Sequence, residues 1–294
     1  MGRPFRLKMA TQCAEKLLRD KGYDGLTIDP FEIAKNNDIM VQAKPKTHDG
    51  VSGMLLRQGN SFCIVYATHI PSLGFQRFSV AHELGHYFLD GHIDQVLGKD
   101  GVHESRTGFS TADVYELEAD HFAAGLLMPS TPFKRELRRR LPGLTAVTEL
   151  ADLCVTSRTA TAIRCAELTD DAMAAIVSTG QQIDYCFLSD AMQSLPQLSW
   201  LRKGTPIPSG TLTSAYVGSQ AKVSGEQAEA DEIDVRDWLG GTRKAQVKEE
   251  VIALGRYGKC LTVLSSTRIG QEEFADEDDD DEALAESWTP RFRR

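Results

Sequence analysis

Apolar residues recur every three or four positions in several stretches of the first half of the chain, and alternate with polar residues in three shorter ones. The first spacing predicts helices and the second predicts strands. The predicted helices cover residues 4–20, 29–37, 71–89, 112–128 and 133–141. The predicted strands cover 39–43, 53–56 and 62–66, with a turn at 57–60 between the last two. Pro142 and Gly143 then interrupt the pattern, which indicates a domain boundary.

Beyond this boundary the pattern changes from helical to strand-like. Residues 144–168 are typical of two or three short helices, and residues 150–168 faintly resemble a helix-turn-helix motif. Strands are predicted at 174–177, 183–188, 247–254 and 260–264. We therefore predict an α+β fold in four parts. These are an N-terminal domain over 1–142, a helical bridge over 143–169, a small α/β domain over 170–268 and a tail over 269–294.

Negative charge is concentrated near the end of the chain. The formal net charge is −9, and the segment 271–287 holds ten carboxylates and no cation. Such a run repels itself and cannot form a core, so we predict that the acidic tail is disordered. The rest of the chain is then close to neutral, and its overall charge does not indicate nucleic-acid binding.

The six cysteines are scattered along the 294 residues and form no CxxC pair. This pattern favours reduced thiols over a disulfide framework. The first residues have no apolar stretch typical of a signal peptide, and no apolar run is long enough to span a bilayer. We therefore expect a soluble, cytoplasmic protein with no membrane association.

An HExxH motif, His-Glu-Leu-Gly-His, lies inside the predicted helix 71–89. Its two histidines, His82 and His86, lie about 40° apart on one helical face, since a turn takes ~3.6 residues. Both rings can then bind one metal ion, while Glu83, displaced to the side, faces the water that attacks the substrate. The opposite face is apolar and suits packing on a core: Val80, Ala81, Leu84, Gly85 and Phe88.

A catalytic zinc needs a third protein ligand and one open position. His92 has the histidine spacing of the metzincin pattern, but that pattern requires glycine where this chain has Leu89. Glu116 is the favoured candidate. It shares a helical face with Asp120, four residues later, so Asp120 can accept a hydrogen bond from the free ring nitrogen of a ligand histidine. Small alanines beside that face would let the two helices approach closely.

Other polar residues lie near these motifs. Glu118 and His121 point away from the face of Glu116, so surface positions are expected for both. The segment 98–111 is expected to be a mobile loop at one wall of the substrate cleft. Three residues are candidates for stabilising the oxyanion of an amide hydrolysis, and the sequence does not rank them: Tyr115, His103 and His92.

Two segments together carry a family resemblance. FSVAHELGH, followed about thirty residues later by ELEADHFAAGLLMP, resembles the ImmA/IrrE family of metallopeptidases over roughly residues 10–135. The resemblance implies a zincin-like catalytic domain with His82, His86 and Glu116 as ligands of Zn²⁺, for which Mn²⁺ or Co²⁺ could substitute. One departure concerns the second motif, since many relatives carry Asn where this chain has Asp120.

The resemblance also implies a function. We expect a metallo-endopeptidase that cleaves a partner protein, such as a helix-turn-helix transcriptional repressor, in a stress response. In some relatives a sensor-like domain occupies the place of the C-terminal domain. The alternative from another class is a non-proteolytic regulator or sensor that binds DNA or a repressor through a peptidase-like fold. A zinc hydrolase acting on bonds other than peptides is a third possibility.

Overall fold

The structure, a computed structural model, describes residues 3–44, 50–106, 113–218, 228–255 and 258–269. The chain divides into two compact units, and the division falls between Leu168 and Thr169. Each unit contains one β-sheet together with helices, so the predicted α+β class is confirmed. Beyond its first residue, the predicted acidic tail lies outside the described residues.

The first unit combines a four-stranded sheet with a set of helices. Its helices are α1 Arg3–Asp20, α2 Pro30–Lys35, α3 Leu73–Phe88, α4 His92–Val96, α5 Val114–Leu127, α6 Ser130–Leu137, α7 Leu144–Cys154 and α8 Arg158–Leu168. Its strands are β1 Ile39–Lys44, β2 Val51–Gln58, β3 Ser61–Ala67 and β4 Val102–Arg106. The strand order is β1-β3-β2-β4, with β1 parallel to β3 and the other pairs antiparallel.

Helix α3 lies at the centre of this unit. It starts at its N-cap Ser72, whose hydroxyl accepts a hydrogen bond from the amide of Phe75. It contacts β2 and β3 as well as α5, and α5 in turn packs on α1. Every residue from Ser79 to His86 is therefore buried, including the polar residues of the motif. Burying polar side chains costs free energy. Polar residues buried where core packing does not require them therefore indicate a functional site.

The segment 98–111 differs from the expected mobile loop, because it contains strand β4. This strand pairs antiparallel with β2, and His103 lies opposite Leu55. Its five residues include one aliphatic side chain, Val102, so they carry no apolar alternation. Backbone pairing with β2 therefore stabilises this strand, although its own sequence does not predict one. The strand brings His103 to the face of the sheet on which α3 packs.

The second unit is built on a five-stranded sheet. Its strands are β5 Ala172–Thr179, β6 Gln182–Leu188, β7 Glu229–Asp234, β8 Gln246–Ala253 and β9 Lys259–Ser266. Its described helices are α9 Asp190–Gln193, α10 Leu212–Gly218 and α11 Val235–Leu239. The strand order is β6-β5-β9-β8-β7 and every pairing is antiparallel. The expected α/β domain is therefore an α+β arrangement, because parallel βαβ units are not found among its described residues.

Strand β7 was not predicted, since four of its six residues are acidic and it lies at the edge of the sheet. Charged residues at an edge strand oppose pairing with other chains. The core of this unit includes Trp238 of α11, Met192 of α9 and Ile176 of β5. The predicted helical bridge corresponds to α7 and α8, which belong to the first unit. Within the described residues no helix has the length and apolar content to cross a membrane.

Candidate metal centre

Helix α3 presents the three residues of the motif at its C-terminal end. His82 and His86 are one turn apart, and their Nε2 atoms lie 3.1 Å from each other. The ring centroids are 4.8 Å apart, so both rings lean toward one point. This is the arrangement that the four-residue spacing predicts.

Helix α5 brings the carboxylate of Glu116 to the same point. The close approach of α5 to α3 depends on Gly85, where an added Cβ would lie 3.0 Å from the Cα of Ala119 and 3.2 Å from the Cβ of Phe122. The small residues on both helices therefore set their separation, as the alanines of α5 suggested. At its N-terminus α5 is capped by Asp113, whose carboxylate accepts a hydrogen bond from the amide of Tyr115.

The Nε2 atoms of His82 and His86 lie close to the carboxylate of Glu116, and a different carboxylate oxygen faces each histidine. Oε2 of Glu116 lies 3.3 Å from Nε2 of His82, and Oε1 lies 3.3 Å from Nε2 of His86. For zinc bonds of about 2.0–2.1 Å, the edge of a coordination tetrahedron is about 3.3–3.4 Å. His82, His86 and Glu116 thus form a group that could hold one metal ion. The donor set of two imidazoles and one carboxylate suits zinc.

The remaining ring nitrogens of the two histidines also have partners. Nδ1 of His82 lies 2.8 Å from Oδ1 of Asp120, which is the contact predicted for that aspartate. Nδ1 of His86 lies 3.1 Å from Nδ1 of His92. His92 therefore sits behind His86 and outside the ligand group. The structure brings together His82, His86 and Glu116, and leaves His92 in a supporting position.

Glu83 lies in the same pocket and is fully buried. Neither of its carboxylate oxygens has a hydrogen-bond partner among the described residues. Burial raises the pKa of this carboxyl group. Strand β2 passes so close that a Cβ at Gly53 would lie 2.5 Å from Oε1 of Glu83, so only glycine leaves room there. A buried carboxylate without a hydrogen-bond partner, beside three side chains that could hold a metal ion, fits a site that takes up a metal ion and a water molecule.

Two residues lie differently from what the sequence suggested. Glu118, expected at the surface, is 6% exposed and receives a two-point ion pair from Arg6. His103 lies with Nε2 at 2.9 Å from Oε1 of Glu116, and its ring centroid is 4.5 Å from that of His86. A second possible ligand group consists of Glu83, His86 and His103. The charge pattern of α5 could not reveal the partner of Glu118, because Arg6 is 112 positions earlier in the chain.

The electrostatics of the pocket favour an ionised Glu116. Burial alone would raise its pKa, but its interactions with His103, His82 and His86 together outweigh burial and hold its pKa well below the usual range. For His82, burial acts in the opposite direction and lowers the pKa. The hydrogen bonds to Asp120 and Glu116 outweigh burial and raise the pKa of His82 to about 10. Burial lowers the pKa of His86 to about 3. Without a metal ion, His82 is therefore a charged imidazolium near neutral pH, whereas His86 is a neutral imidazole.

This difference predicts that zinc uptake releases about one proton near neutral pH. Because His82 must lose its proton to bind, the affinity for zinc should rise about tenfold per pH unit between about pH 6 and 8. Calorimetric titrations in buffers of different ionisation enthalpy, at about pH 6, would measure the proton. In Asp120→Asn the pKa of His82 should fall, and less proton should be released. Zinc binding with no proton release in the wild type would contradict the assignment of His82 as a ligand that is protonated before zinc binds.

Comparison with known proteins places this pocket in a recognised family segment. Residues 34–165 match the model of the IrrE N-terminal-like domain, Peptidase_M78, and this confirms the predicted family resemblance. Among curated proteins nothing matches the chain. A solved structure described as a Mycobacterium tuberculosis transcriptional regulator superposes with a TM-score of 0.57 at 11% identity, covering 88% of this chain and 76% of that one. At this identity the likeness shows a shared fold.

Proposed function

We propose that this chain, which belongs to the ImmA/IrrE family of peptidase-like proteins through residues 34–165, is a zinc-dependent endopeptidase. One observation carries the proposal. The Nε2 atoms of His82 and His86 and the carboxylate of Glu116 lie close enough together to hold one metal ion, and the buried carboxylate of Glu83, which has no hydrogen-bond partner among the described residues, lies beside them. A site that only stored metal would not need this fourth group.

Each of these residues has a distinct task. When bound, zinc would lower the pKa of water from 15.7 to about 7 and polarise the scissile carbonyl. Glu83 would take the proton of the attacking water and pass it to the leaving amine. Its raised pKa keeps it a stronger base than an exposed glutamate. Burial of the pocket excludes bulk water, which strengthens the interactions of these charges with the reacting atoms.

We propose one of the three candidates, His103, for stabilising the oxyanion, and the surroundings of each candidate support this choice. The ring of Tyr115 packs edge-on against His92 and lies under the guanidinium of Arg6. His92 sits behind His86. His103 is the candidate that reaches Glu116 directly, so we assign this role to His103.

The family resemblance supports a proposal for the substrate and the cellular setting. We propose a protein substrate, such as a helix-turn-helix transcriptional repressor, cleaved in the cytoplasm. Residues 1–142 would be the zincin-like catalytic domain, 143–169 a helix-turn-helix-like bridge and 170–268 a regulatory domain. The metal would be zinc, with Mn²⁺ or Co²⁺ able to occupy the same donor set.

Removal and return of zinc tests the proposal. Chelator-treated protein should lose all cleavage of a proteome-derived peptide library, and one equivalent of zinc should restore it. New peptide N-termini, counted by mass spectrometry, provide the measurement. Magnesium added in place of zinc is the control and should restore nothing, because it favours oxygen ligands. Cleavage that persists without zinc would point to a contaminating peptidase, and no cleavage in any state would contradict a general endopeptidase.

The second candidate function is a regulator that binds DNA, and the fold of the neighbouring regulator favours it. The geometry of α8 argues against DNA contact by the bridge. Arg164, one of its two arginines, is buried and paired with Glu15 and Glu167 at 3.3 and 3.1 Å. The turn before α8 is packed so tightly that a Cβ at Gly74 would lie 2.9 Å from the backbone of Thr156. Salt-dependent binding to duplex DNA would nevertheless support this function.

A further inference from the structure

A chain of polar contacts leads from His86 through three residues to the surface of the first unit. Nδ1 of His86 contacts Nδ1 of His92 at 3.1 Å, and Nε2 of His92 contacts Oε2 of Glu118 at 3.0 Å. Glu118 accepts two hydrogen bonds from Arg6, at 2.5 and 2.8 Å. We propose that His92, Glu118 and Arg6 are positioning residues, which fix the ring of His86 for metal binding. This inference rests on the metal site of the proposed function.

The donor and the acceptor in each contact from Arg6 to His86 determine the tautomer of each histidine ring. A two-point ion pair with arginine keeps Glu118 in its ionised, accepting form. Nε2 of His92 must therefore donate its proton to Glu118, which leaves Nδ1 of a neutral His92 as an acceptor. Nδ1 of His86 then carries the proton that His92 accepts. Nε2 of His86 is left with its lone pair directed at Glu116 and His82, as a metal ligand requires.

The four residues of this arrangement come from four different helices, so it forms only when these helices pack together. Arg6 comes from α1, His86 from α3, His92 from α4 and Glu118 from α5. After α3 ends, Gly91 adopts φ +79, a conformation that favours glycine, and the chain turns back to place His92 behind His86. The three inner side chains are buried, whereas Arg6 is about one third exposed.

The two ligand histidines are thus supported in different ways. His82 donates directly to the carboxylate of Asp120 at 2.8 Å. His86 reaches its carboxylate, Glu118, only through a second imidazole. Partners of this kind orient metal ligands and raise their basicity, and their loss typically lowers metal affinity about 10–100-fold. A ring that can rotate would point its lone pair away from the metal for part of the time.

Zinc affinity, measured in the full chain by competition with a chelator, tests the positioning role. His92→Phe removes both contacts at similar volume and should lower the affinity about 10–100-fold. His92→Asn places an acceptor near the position of Nδ1 and should recover part of the loss. Glu118→Gln removes only the charge and should give a smaller loss. His121→Gln, a histidine replacement elsewhere on α5, is the matched control and should leave the affinity unchanged.

Two further readouts separate positioning from other roles. At saturating Co²⁺ every variant should still bind one equivalent, with an altered visible spectrum in His92→Phe. Failure of His92→Phe to bind even at saturation would make His92 a ligand and overturn the proposal. Unchanged affinity in folded His92→Phe and Glu118→Gln, with only a lower melting temperature, would overturn it in favour of a structural role. If His92→Phe does not fold, the isosteric Glu118→Gln decides. Since none of these measurements requires proteolysis, the positioning role can stand or fall independently of peptidase activity.

Discussion

Replacing Glu83 by glutamine should lower the rate of peptide hydrolysis at least 10²–10⁴-fold, the usual contribution of a general acid–base group, and leave zinc bound. Glutamine has the shape of glutamate but cannot take the proton of the attacking water. It also fits the space beside Gly53, where the carboxylate of Glu83 lies against β2. The substitution should therefore lower the rate of hydrolysis without changing the fold or the metal ligands.

Elemental analysis and single-turnover kinetics on the same preparation measure both halves of this expectation. Glu32→Gln, the same change at an exposed position in the first turn of α2, is the control and should be fully active. A folded Glu83→Gln variant that lost its zinc would favour the second ligand group, Glu83, His86 and His103. Full activity with zinc retained would mean that another group takes the proton.

The elements that carry the site could be predicted because their signals are local. The spacing of His82 and His86 places them on one helical face, and α3 runs from Leu73 to Phe88 within the predicted 71–89. Helix α5, from Val114 to Leu127, likewise lies within its predicted range of 112–128. Each prediction depended on the period of a single helix and on the turn-forming residues near its ends.

The supporting residues could not be predicted, because their partners are distant in sequence. When α5 is considered alone, Glu118 lies away from the face of Glu116, and only the packing of α1 brings Arg6 to it. The position of His103 depends on β4, a polar edge strand held by its pairing with β2. Periodicity describes one element at a time, whereas these contacts depend on how several elements pack.

Replacing Glu116 by alanine should abolish stoichiometric zinc binding, since it removes one of three protein ligands. Loss of a mere supporting contact costs about 10–100-fold in affinity, and loss of a ligand should exceed this. The variant should fold, because Glu116 is partly exposed and its removal opens no apolar cavity. Asp120→Asn keeps an oxygen that can accept from His82, so it should retain zinc with reduced affinity.

Thermal unfolding with and without zinc provides a measurement independent of metal analysis. Zinc at 100 times its dissociation constant should stabilise the wild type by about 2.7 kcal/mol. For a unit of this size that corresponds to a rise of roughly 5–10 °C in melting temperature. Glu116→Ala should show no such rise, whereas Glu32→Ala should respond as the wild type does. If Glu116→Ala keeps its zinc and His103→Ala loses it, the ion belongs to the group of Glu83, His86 and His103. Glu83 would then be a ligand, and the proposed proton transfer would require another residue.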